Sequence, residues 1–274
     1  MGLYNKLRSL VLCFRKPIIV KADIKYLAPN KRLENKKILI TGGSRGLGYA
    51  MAKKFVSEGA EVLITGRNIE RLKQVSEELG CKYILFDSTD FDNIDGFINE
   101  AKSLLGQIDV LVNNAGISLH EGNIRNVTKE GYDAQFNTNL KSVYFLSQKF
   151  LELYENNHQK NGSILFLSSE RGKYVDDIPY GLIKASINSL TQGLSFLLRN
   201  SDIRINAIAP GITTTDMTGT TSDNLYSDKY ATGRYYLPEE VAEVACFLIS
   251  DAAKCISGQI IGCDNGYNVN SYKR

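Results

Sequence analysis

The sequence is poor in the residues that build metal centres and disulfide frameworks. Only two of its 274 residues are histidines, His120 and His158, and no other ligands cluster with them, so we expect no metal site. The five cysteines are scattered along the chain without a C-x-x-C pair. This pattern favours reduced thiols over disulfide bonds and is typical of a cytoplasmic protein.

Long hydrophobic runs are missing as well. Apolar runs such as DVLV and ILFL fall far short of the roughly 20 residues that a membrane-spanning helix needs. The run SLVLCF is shorter than the apolar region of a signal peptide, and no small-residue cleavage site follows it. With 43% hydrophobic and 23% charged residues, the composition is ordinary for a globular protein, and we expect no nucleic-acid partner.

Basic residues are concentrated near the start of the chain. The net charge is only +3 at pH 7, yet the first 37 residues hold ten lysines and arginines against Asp23 and Glu34. Four apolar residues in MGLYNKLRSLVLCF recur at helical spacing, which predicts a basic amphipathic helix. Such a helix can contact an anionic membrane weakly through residues 1–16, or pack on its own domain or a second subunit. We predict that residues 1–35 form an N-terminal extension.

The remainder, residues 36–274, alternates between two patterns. Short runs rich in β-branched residues predict strands, and between them lie amphipathic segments such as IERLKQVSEEL, whose helix we expect to end at Gly80. Apolar strands separated by helices are typical of a parallel sheet with both faces covered. We predict one α/β domain, a doubly wound, Rossmann-type parallel sheet of about seven strands. The predicted strands are 37–41, 61–65, 82–86, 108–112, 163–167, 203–207 and 258–262.

A glycine-rich stretch, TGGSRGLG, follows the first predicted strand and precedes an apolar helical segment. Its G-x-x-x-G-x-G spacing differs from the G-x-G-x-x-G dinucleotide fingerprint, and tight turns also use glycine. Its setting between a strand and a helix, however, lets the backbone approach a pyrophosphate at the positive end of the helix dipole. We therefore predict a dinucleotide site. The predicted contacts in this loop are Gly42, Ser44, Arg45, Gly46, Leu47 and Gly48.

The end of the second predicted strand, LITGRN, indicates which dinucleotide binds. An NAD site places a carboxylate there for the ribose 2′-hydroxyl, but here Gly66 is followed by Arg67. A guanidinium can bind the 2′-phosphate of NADP through two hydrogen bonds, whereas a carboxylate would repel it. Arg45 could approach from the glycine loop. Either arginine alone could be a solvated surface residue, but together they favour NADP(H) over NAD(H).

Four motifs in order make residues 36–267 similar to the classical short-chain dehydrogenase/reductase family. They are TGGSRGLG, NNAG at 113–116, the Y-x-x-x-K pair of Tyr180 and Lys184, and PGITTTDM at 210–217. The resemblance is closest to 3-oxoacyl-thioester reductases. It implies a nicotinamide dinucleotide cofactor. The further cofactor contacts that it implies are Asp87, Asn114, Tyr180, Lys184, Pro210, Gly211, Thr213 and Thr215.

The same resemblance implies a catalytic set of Asn139, Ser169, Tyr180 and Lys184. SSERG aligns with the family's S-S-x-x-G at Ser169, and Ser168 is the alternative. Asn139 would position a water between Lys184 and solvent. Two features depart from the family pattern. Ser169 and Tyr180 are eleven positions apart, a residue or two closer than usual, and DNGYNVN replaces a common double glycine near the end.

The spacing of Tyr180 and Lys184 also has a chemical interpretation. One helical turn apart, they could be only a surface pair with a snorkelling lysine. Because a free phenol with a pKa near 10 is a poor proton shuttle, we expect the Lys184 ammonium to lower the pKa of Tyr180. The set then predicts an NADP(H)-dependent oxidoreductase that interconverts a small-molecule ketone and a secondary alcohol. The alternative is a catalytically silent dinucleotide-binding sensor or scaffold of the same fold.

Substrate recognition and assembly are predicted for the remaining segments. Residues 216–238 follow the closing motif and contain four tyrosines that would give a substrate pocket amphipathic walls. His120 is predicted to be a surface residue that could touch substrate. Long helices are predicted at 133–155 and 180–199. The resemblance implies that these helices pair across subunits in a homodimer or homotetramer.

Overall fold

A computed structural model describes residue 21 and residues 31–219, 223–230 and 232–267. The segment 1–16, for which a membrane contact is predicted, lies outside the described residues. The described chain forms a parallel seven-stranded sheet in the order β3-β2-β1-β4-β5-β6-β7, which confirms the predicted fold class. The strands are β1 (Lys37–Ile40), β2 (Glu61–Gly66), β3 (Lys82–Leu85), β4 (Val110–Asn113), β5 (Ser163–Leu167), β6 (Arg204–Pro210) and β7 (Ile260–Cys263).

Seven α-helices accompany the sheet in the described ranges. One of them ends, as predicted, before Gly80, whose φ of +67° suits glycine at a helix C-terminus. The helix predicted over 133–155 is instead divided by a π-helical segment, Asn137–Lys141, a distortion that is frequent at functional sites. The helices are α1 (Gly46–Ser57), α2 (Ile69–Leu79), α3 (Ile94–Leu105), α4 (Lys129–Phe136), α5 (Ser142–Asn156), α6 (Pro179–Leu197) and α7 (Pro238–Ile249).

Both faces of the sheet are covered by helices, because the strands are apolar at successive positions. In β1, Ile38 packs into the hydrophobic cluster on one face and Leu39 into the cluster on the other. Helices α1, α2 and α7 cover the first face, with Phe55 fully buried, and α3, α5 and α6 cover the second, with Phe150 fully buried. Burial of each such side chain contributes roughly 1.5–3 kcal/mol relative to its exposure.

The strand order determines where a ligand can bind. After β1 the chain builds β2 and β3 on one side, then crosses back to place β4 on the other side of β1. In open α/β sheets, ligands bind outside the carboxyl ends of the strands at such a switch point. The glycine loop follows β1 and the NNAG motif follows β4. The two motifs therefore meet at the same edge of the sheet.

The end of the predicted N-terminal extension contacts the catalytic domain. Leu33 is fully buried. Arg32 forms ion pairs with Glu58 at 2.5 Å and with Glu243 at 3.0 Å. Lys54 contacts the same two carboxylates, at 2.9 and 2.5 Å respectively. This network ties the segment to α1 and α7, and the domain boundary predicted there stays a prediction.

The network around Glu58 predicts acid sensitivity. Burial tends to raise the pKa of Glu58, but hydrogen bonds from Arg32 and Lys54 prevail and lower it from 4.5 to about 2. The resulting stabilisation, about 3 kcal/mol, is complete above pH 4.5 and is lost as the pH falls toward 2. We therefore expect Glu58→Gln to lower the free energy of unfolding at pH 7 by about 3 kcal/mol, and this difference to shrink by about 2 kcal/mol at pH 3.

Urea denaturation at the two pH values measures this difference. Glu61→Gln is the matched control. The Glu61 side chain is exposed, and its single ion pair, with an exposed lysine, is long at 3.5 Å. A control variant that behaves like Glu58→Gln, or a difference for Glu58→Gln that stays constant with pH, would contradict the assignment.

Candidate active site

A cleft of about 480 Å³ lies at the carboxyl edge of the sheet, where the predicted motifs meet. The loops after β1, β2 and β4, the beginning of α6 and the closing segment all contribute to it. Pro210, Gly211 and Thr213 do not line the cleft, and Thr213 is buried behind it. The predicted cofactor residues that line it are Gly42, Ser44, Arg45, Gly46, Leu47, Gly48, Arg67, Asp87, Asn114, Tyr180, Lys184 and Thr215.

The glycine loop is shaped by close approaches that leave no room for side chains. Gly42 has a φ of +66°, and a Cβ there would lie 2.9 Å from Ala115 Cα. A Cβ on Gly48 would overlap the Gly42 carbonyl oxygen. Asn114 joins the NNAG motif to this loop, since its Nδ2 donates to the carbonyls of Thr41 and Gly42 at 2.9 and 2.8 Å. The resulting cradle of backbone at the N-terminus of α1 fits a dinucleotide pyrophosphate.

Positive charge gathers where β2 ends. Arg45 and Arg67 are both exposed, and their nearest carboxylates, Asp216 and Asp87 respectively, are 3.9 Å away. Arg71, which the sequence analysis missed, lines the same part of the cleft, and its Nε donates to a carbonyl of the glycine loop at 3.3 Å. The sequence signal that could have identified Arg71 is its position four residues after Arg67. Three guanidinium groups thus border this region.

Tyr180 and Ser169 meet where β5 and α6 approach each other. The Ser169 hydroxyl lies close enough to the Tyr180 phenol to lower its pKa, despite the short connection between the two residues. Ser168 is engaged elsewhere, because its Oγ donates to Asn188 Oδ1 at 2.6 Å. The geometry therefore brings Ser169, and not the alternative Ser168, to the phenol.

Lys184 lies next to Tyr180 and is buried. Its Nζ is 5.4 Å from the centroid of the Tyr180 ring and donates to the Leu167 carbonyl at 2.6 Å. Burial lowers the pKa of Lys184 from 10.5 to about 8. The expectation that Lys184 lowers the pKa of Tyr180 is wrong for this structure. Burial raises the pKa of Tyr180, and the influences that lower it are the hydrogen bond with Ser169 and the charge of Arg171.

The reason is the direction of the lysine side chain. The Leu167 carbonyl holds the Lys184 ammonium, whose Nζ lies over the aromatic ring of Tyr180. Desolvation of the phenolate then prevails. With a raised pKa, Tyr180 carries its proton at neutral pH.

Asn139 lies in the π-helical segment and is almost completely buried. Its side chain makes two hydrogen bonds with the backbone of Ile117. The Oδ1 atom accepts from the N–H at 2.8 Å, and Nδ2 donates to the carbonyl at 2.7 Å. A Cβ on Gly116 would lie 3.2 Å from Asn139 Oδ1. The amide therefore holds the segment after NNAG in place, and the water-positioning role predicted for it stays a prediction.

The closing segment and the loop after it are more tightly packed than the sequence suggested. His120 is exposed, as predicted, and its Nε2 contacts the carbonyl of Met217, a residue that lines the cleft, at 2.9 Å. Two of the four predicted pocket tyrosines are buried inside the loop. The Tyr230 hydroxyl donates to Glu170 at 2.8 Å, and Tyr236 stacks edge-on against Tyr230. These two tyrosines hold the loop together rather than forming open pocket walls.

Metal-ligand groups and membrane-spanning helices are both absent from the residues that the structure describes. Across the ranges that the structure describes, no group of three or more histidine, cysteine, aspartate or glutamate residues is arranged to hold a metal ion. In the same ranges, each helix is too short or too polar to cross a bilayer.

Comparisons with known proteins agree with this architecture. The model of the family described as "Enoyl-(Acyl carrier protein) reductase" matches residues 42–268. A protein named "3-oxoacyl-[acyl-carrier-protein] reductase FabG" from Thermotoga maritima is 37% identical over 246 residues, which cover 86% of this chain and 98% of the relative. A "3alpha-hydroxysteroid dehydrogenase" from Mediterraneibacter gnavus is 34% identical, with coverage of 85% and 96%.

Two solved structures extend the comparison. A 3-ketoacyl-(acyl-carrier-protein) reductase from Brucella melitensis, complexed with NADH, superposes with a TM-score of 0.81 at 30% identity and covers 86% of this chain and 100% of its own. A short-chain dehydrogenase from Burkholderia cenocepacia in complex with NADP has a TM-score of 0.78 at 32% identity, with coverage of 87% and 100%. The chain belongs to the short-chain dehydrogenase/reductase family. It is an oxidoreductase that works with a pyridine nucleotide.

Proposed function

We propose that this chain is an NADP(H)-dependent reductase that interconverts a ketone and a secondary alcohol through Tyr180. The observation that carries the proposal is that Tyr180 and Lys184 line the same cleft as the glycine-loop cradle, with Ser169 next to Tyr180. The phenol is partly exposed to this cleft and protonated at neutral pH, which suits a proton donor. Reduction of the carbonyl is therefore the favoured direction.

Each side chain of the site has a separate role in this reaction. If NADPH is bound in this cleft, its nicotinamide would supply the hydride that the substrate carbonyl carbon accepts. Tyr180 gives its proton to the carbonyl oxygen, and Ser169 donates a hydrogen bond to the same oxygen as negative charge develops on it. Lys184 has three donors, of which one is used by the Leu167 carbonyl, so two remain for the nicotinamide ribose.

The preference for NADP(H) is supported by the arginines where β2 ends. Arg67 and Arg71 border the part of the cleft in which an NAD site would hold a carboxylate. We expect Arg67→Ala to raise the KM for NADPH about tenfold, because a charge-assisted bidentate contact is lost, and to leave the KM for NADH nearly unchanged. Arg199→Ala, at an exposed arginine away from the cleft, is the control. An equal rise for both cofactors would contradict the preference.

The substrate class is inferred from the relatives, several of which are named 3-oxoacyl-[acyl-carrier-protein] reductase. A spectrophotometric assay would follow NADPH oxidation with a 3-oxoacyl thioester and, because of the bacterial hydroxysteroid dehydrogenase relative, with a 3-oxosteroid. We expect a higher kcat/KM for the thioester. A higher kcat/KM for the steroid would contradict the assigned substrate class and leave the reaction type standing.

The alternative function is a catalytically silent dinucleotide-binding sensor or scaffold. Because Tyr180, Ser169 and Lys184 are all present and adjacent, the geometry disfavours it. In the same assay, a sensor would bind NADPH, as measured by fluorescence, without consuming it on any ketone. That result would refute the proposed reductase activity and support the sensor function.

We also infer that the protein assembles as a homodimer or homotetramer. Apolar side chains on α5 and α6 are exposed in the single chain, and the most exposed of them are Phe196 and Leu197. Exposed apolar side chains of this kind can form a protein–protein interface. The exposed apolar residues on these two helices are Tyr144, Phe145, Leu182, Phe196 and Leu197.

A further inference from the structure

One ion pair spans the short connection between Ser169 and Tyr180. Arg171 and Asp176 form a bidentate contact, with Nε to Oδ2 at 2.5 Å and Nη2 to Oδ1 at 2.7 Å. The Asp176 side chain is only 3% exposed. Breaking such a pair leaves a carboxylate buried without its counter-charge, which is costly. The pair is therefore a strong constraint on this connection.

Each partner of the pair is also bonded to a catalytic element. The backbone N–H of Arg171 donates to Ser169 Oγ at 3.2 Å. Asp176 Oδ1 accepts from the N–H groups of Asp177 at 2.9 Å and Ile178 at 3.3 Å, the two residues that lead into α6. The ion pair thus connects the Ser169 side of the site with the helix that carries Tyr180.

Helix α6 has a glycine where the Asp176 carboxylate packs. A Cβ on Gly181, the residue after Tyr180, would overlap this carboxylate. Gly193 lies further along the same helix, and a Cβ there would meet no atom within 4 Å. Gly172, on the 3₁₀ turn after Ser169, also packs closely against α6. A Cβ at this position would lie 2.7 Å from the Lys184 carbonyl carbon.

The charges around the Tyr180 hydroxyl point to the same pair. Helix α6 contributes Lys184, which is held by a backbone carbonyl, and the 3₁₀ turn contributes Glu170 and Arg171. Glu170 tends to raise the pKa of Tyr180, and Arg171 lowers it. The Glu170 carboxylate is balanced by Lys229 at 2.5 Å. Arg171 is itself paired with Asp176, and its charge still lowers the pKa of the phenol in this arrangement.

We propose that Arg171 and Asp176 form a clamp that positions Ser169 against Tyr180, and that Arg171 supplies positive charge to the phenolate formed when Tyr180 gives up its proton. Both are positioning residues, since neither lines the cleft. The inference rests on the proposed function. It goes beyond that function by assigning to Arg171 a role that the sequence pattern assigned to Lys184.

The first test removes the charge of Arg171. We expect Arg171→Gln to lower kcat at least tenfold and to move the pH dependence of kcat to higher pH in both reaction directions, because the phenolate loses a stabilising cation. Lys173→Gln is the matched control, since it removes the same charge from the same 3₁₀ turn at an exposed side chain. It should leave kcat and its pH dependence unchanged.

A second readout does not depend on turnover. The absorbance of tyrosinate is titrated in each protein and in its Tyr180→Phe version, and the difference reports Tyr180 alone. We expect this titration to move to higher pH in Arg171→Gln. If it does not move, or if activity falls only in proportion to the folded fraction with an unchanged pH profile, the clamp is refuted.

The third test leaves every charge in place. Alanine is normally preferred over glycine inside a helix, so Gly193→Ala should raise the Tm by a few degrees and keep full turnover. Gly181→Ala should displace Asp176, lower kcat about tenfold and shift the pH profile as Arg171→Gln does. Equal behaviour of the two alanine variants would overturn the clamp. If the wild-type protein consumes no NADPH, the proposed function fails, while the tyrosinate titration still decides the clamp.

Discussion

Replacing Tyr180 by phenylalanine is expected to lower turnover on the order of a hundredfold or more and to leave cofactor affinity almost unchanged. The substitution removes the hydroxyl that gives its proton to the substrate oxygen, and keeps the aromatic ring that packs beside Lys184. Ser169 alone can still donate a hydrogen bond to the oxygen, but it lacks a neighbouring base from which to recover a proton. The measurement is single-turnover NADPH oxidation, combined with NADPH binding by fluorescence.

The control for this variant is Tyr132→Phe. Tyr132 is exposed and stacks on Phe136 with a centroid distance of 4.2 Å, so its ring contact survives the same substitution outside the cleft. We expect turnover of Tyr132→Phe to stay near the wild-type value. Near-normal turnover in Tyr180→Phe would remove the basis of the proposed mechanism, whatever the cofactor affinity.

Replacing Lys184 by methionine should have opposite effects on activity and on stability. Turnover should fall by roughly a hundredfold, because the ammonium no longer binds the ribose and positions the nicotinamide. The fold, however, should become more stable at pH 7. Burial lowers the pKa of Lys184 to about 8, so the folded state holds a charge that it disfavours at all pH values below that. The methionine side chain of the variant has no such cost.

The pH dependence of the stability gain follows from the direction of this shift. The cost of the buried ammonium is complete below pH 8 and disappears as the pH rises toward 10.5, where lysine is neutral in both states. A shift of this size corresponds to about 3 kcal/mol, of which about 1 is offset by the lost hydrogen bond to Leu167. We expect a net gain of about 2 kcal/mol at pH 7, which falls to zero near pH 10, where the remaining cost of the ammonium equals that of the lost hydrogen bond.

Lys82→Met provides the comparison. Lys82 also donates to a backbone carbonyl, that of Leu104 at 2.7 Å, but its side chain is half exposed. The same substitution there should not increase stability. Thermal unfolding at pH 7 and at pH 10 distinguishes the two sites. A Lys184→Met variant that is less stable than wild type at pH 7 would show that the buried ammonium stabilises the fold.

The fold and most of the cleft were predictable because they depend on local patterns. Each of the seven strands follows from a short apolar run, and the parallel sheet follows from the alternation of such runs with amphipathic helices. The glycine loop was predictable from its place between β1 and α1, since only a backbone without side chains allows the approaches at Gly42 and Gly48. Adjacent motifs at one edge then follow from the order of the strands.

The sequence by itself therefore determined the doubly wound sheet, the dinucleotide cleft and the adjacency of Tyr180 and Lys184. Only the tertiary structure decided which serine lies beside the phenol and which charged groups surround it. Side chains of neighbouring residues in extended backbone point in opposite directions, so whether Ser168 or Ser169 faces Tyr180 depends on how β5 meets α6. The pKa of Tyr180 depends on burial and on charges contributed by segments far apart in the chain. It therefore cannot be predicted from the local sequence.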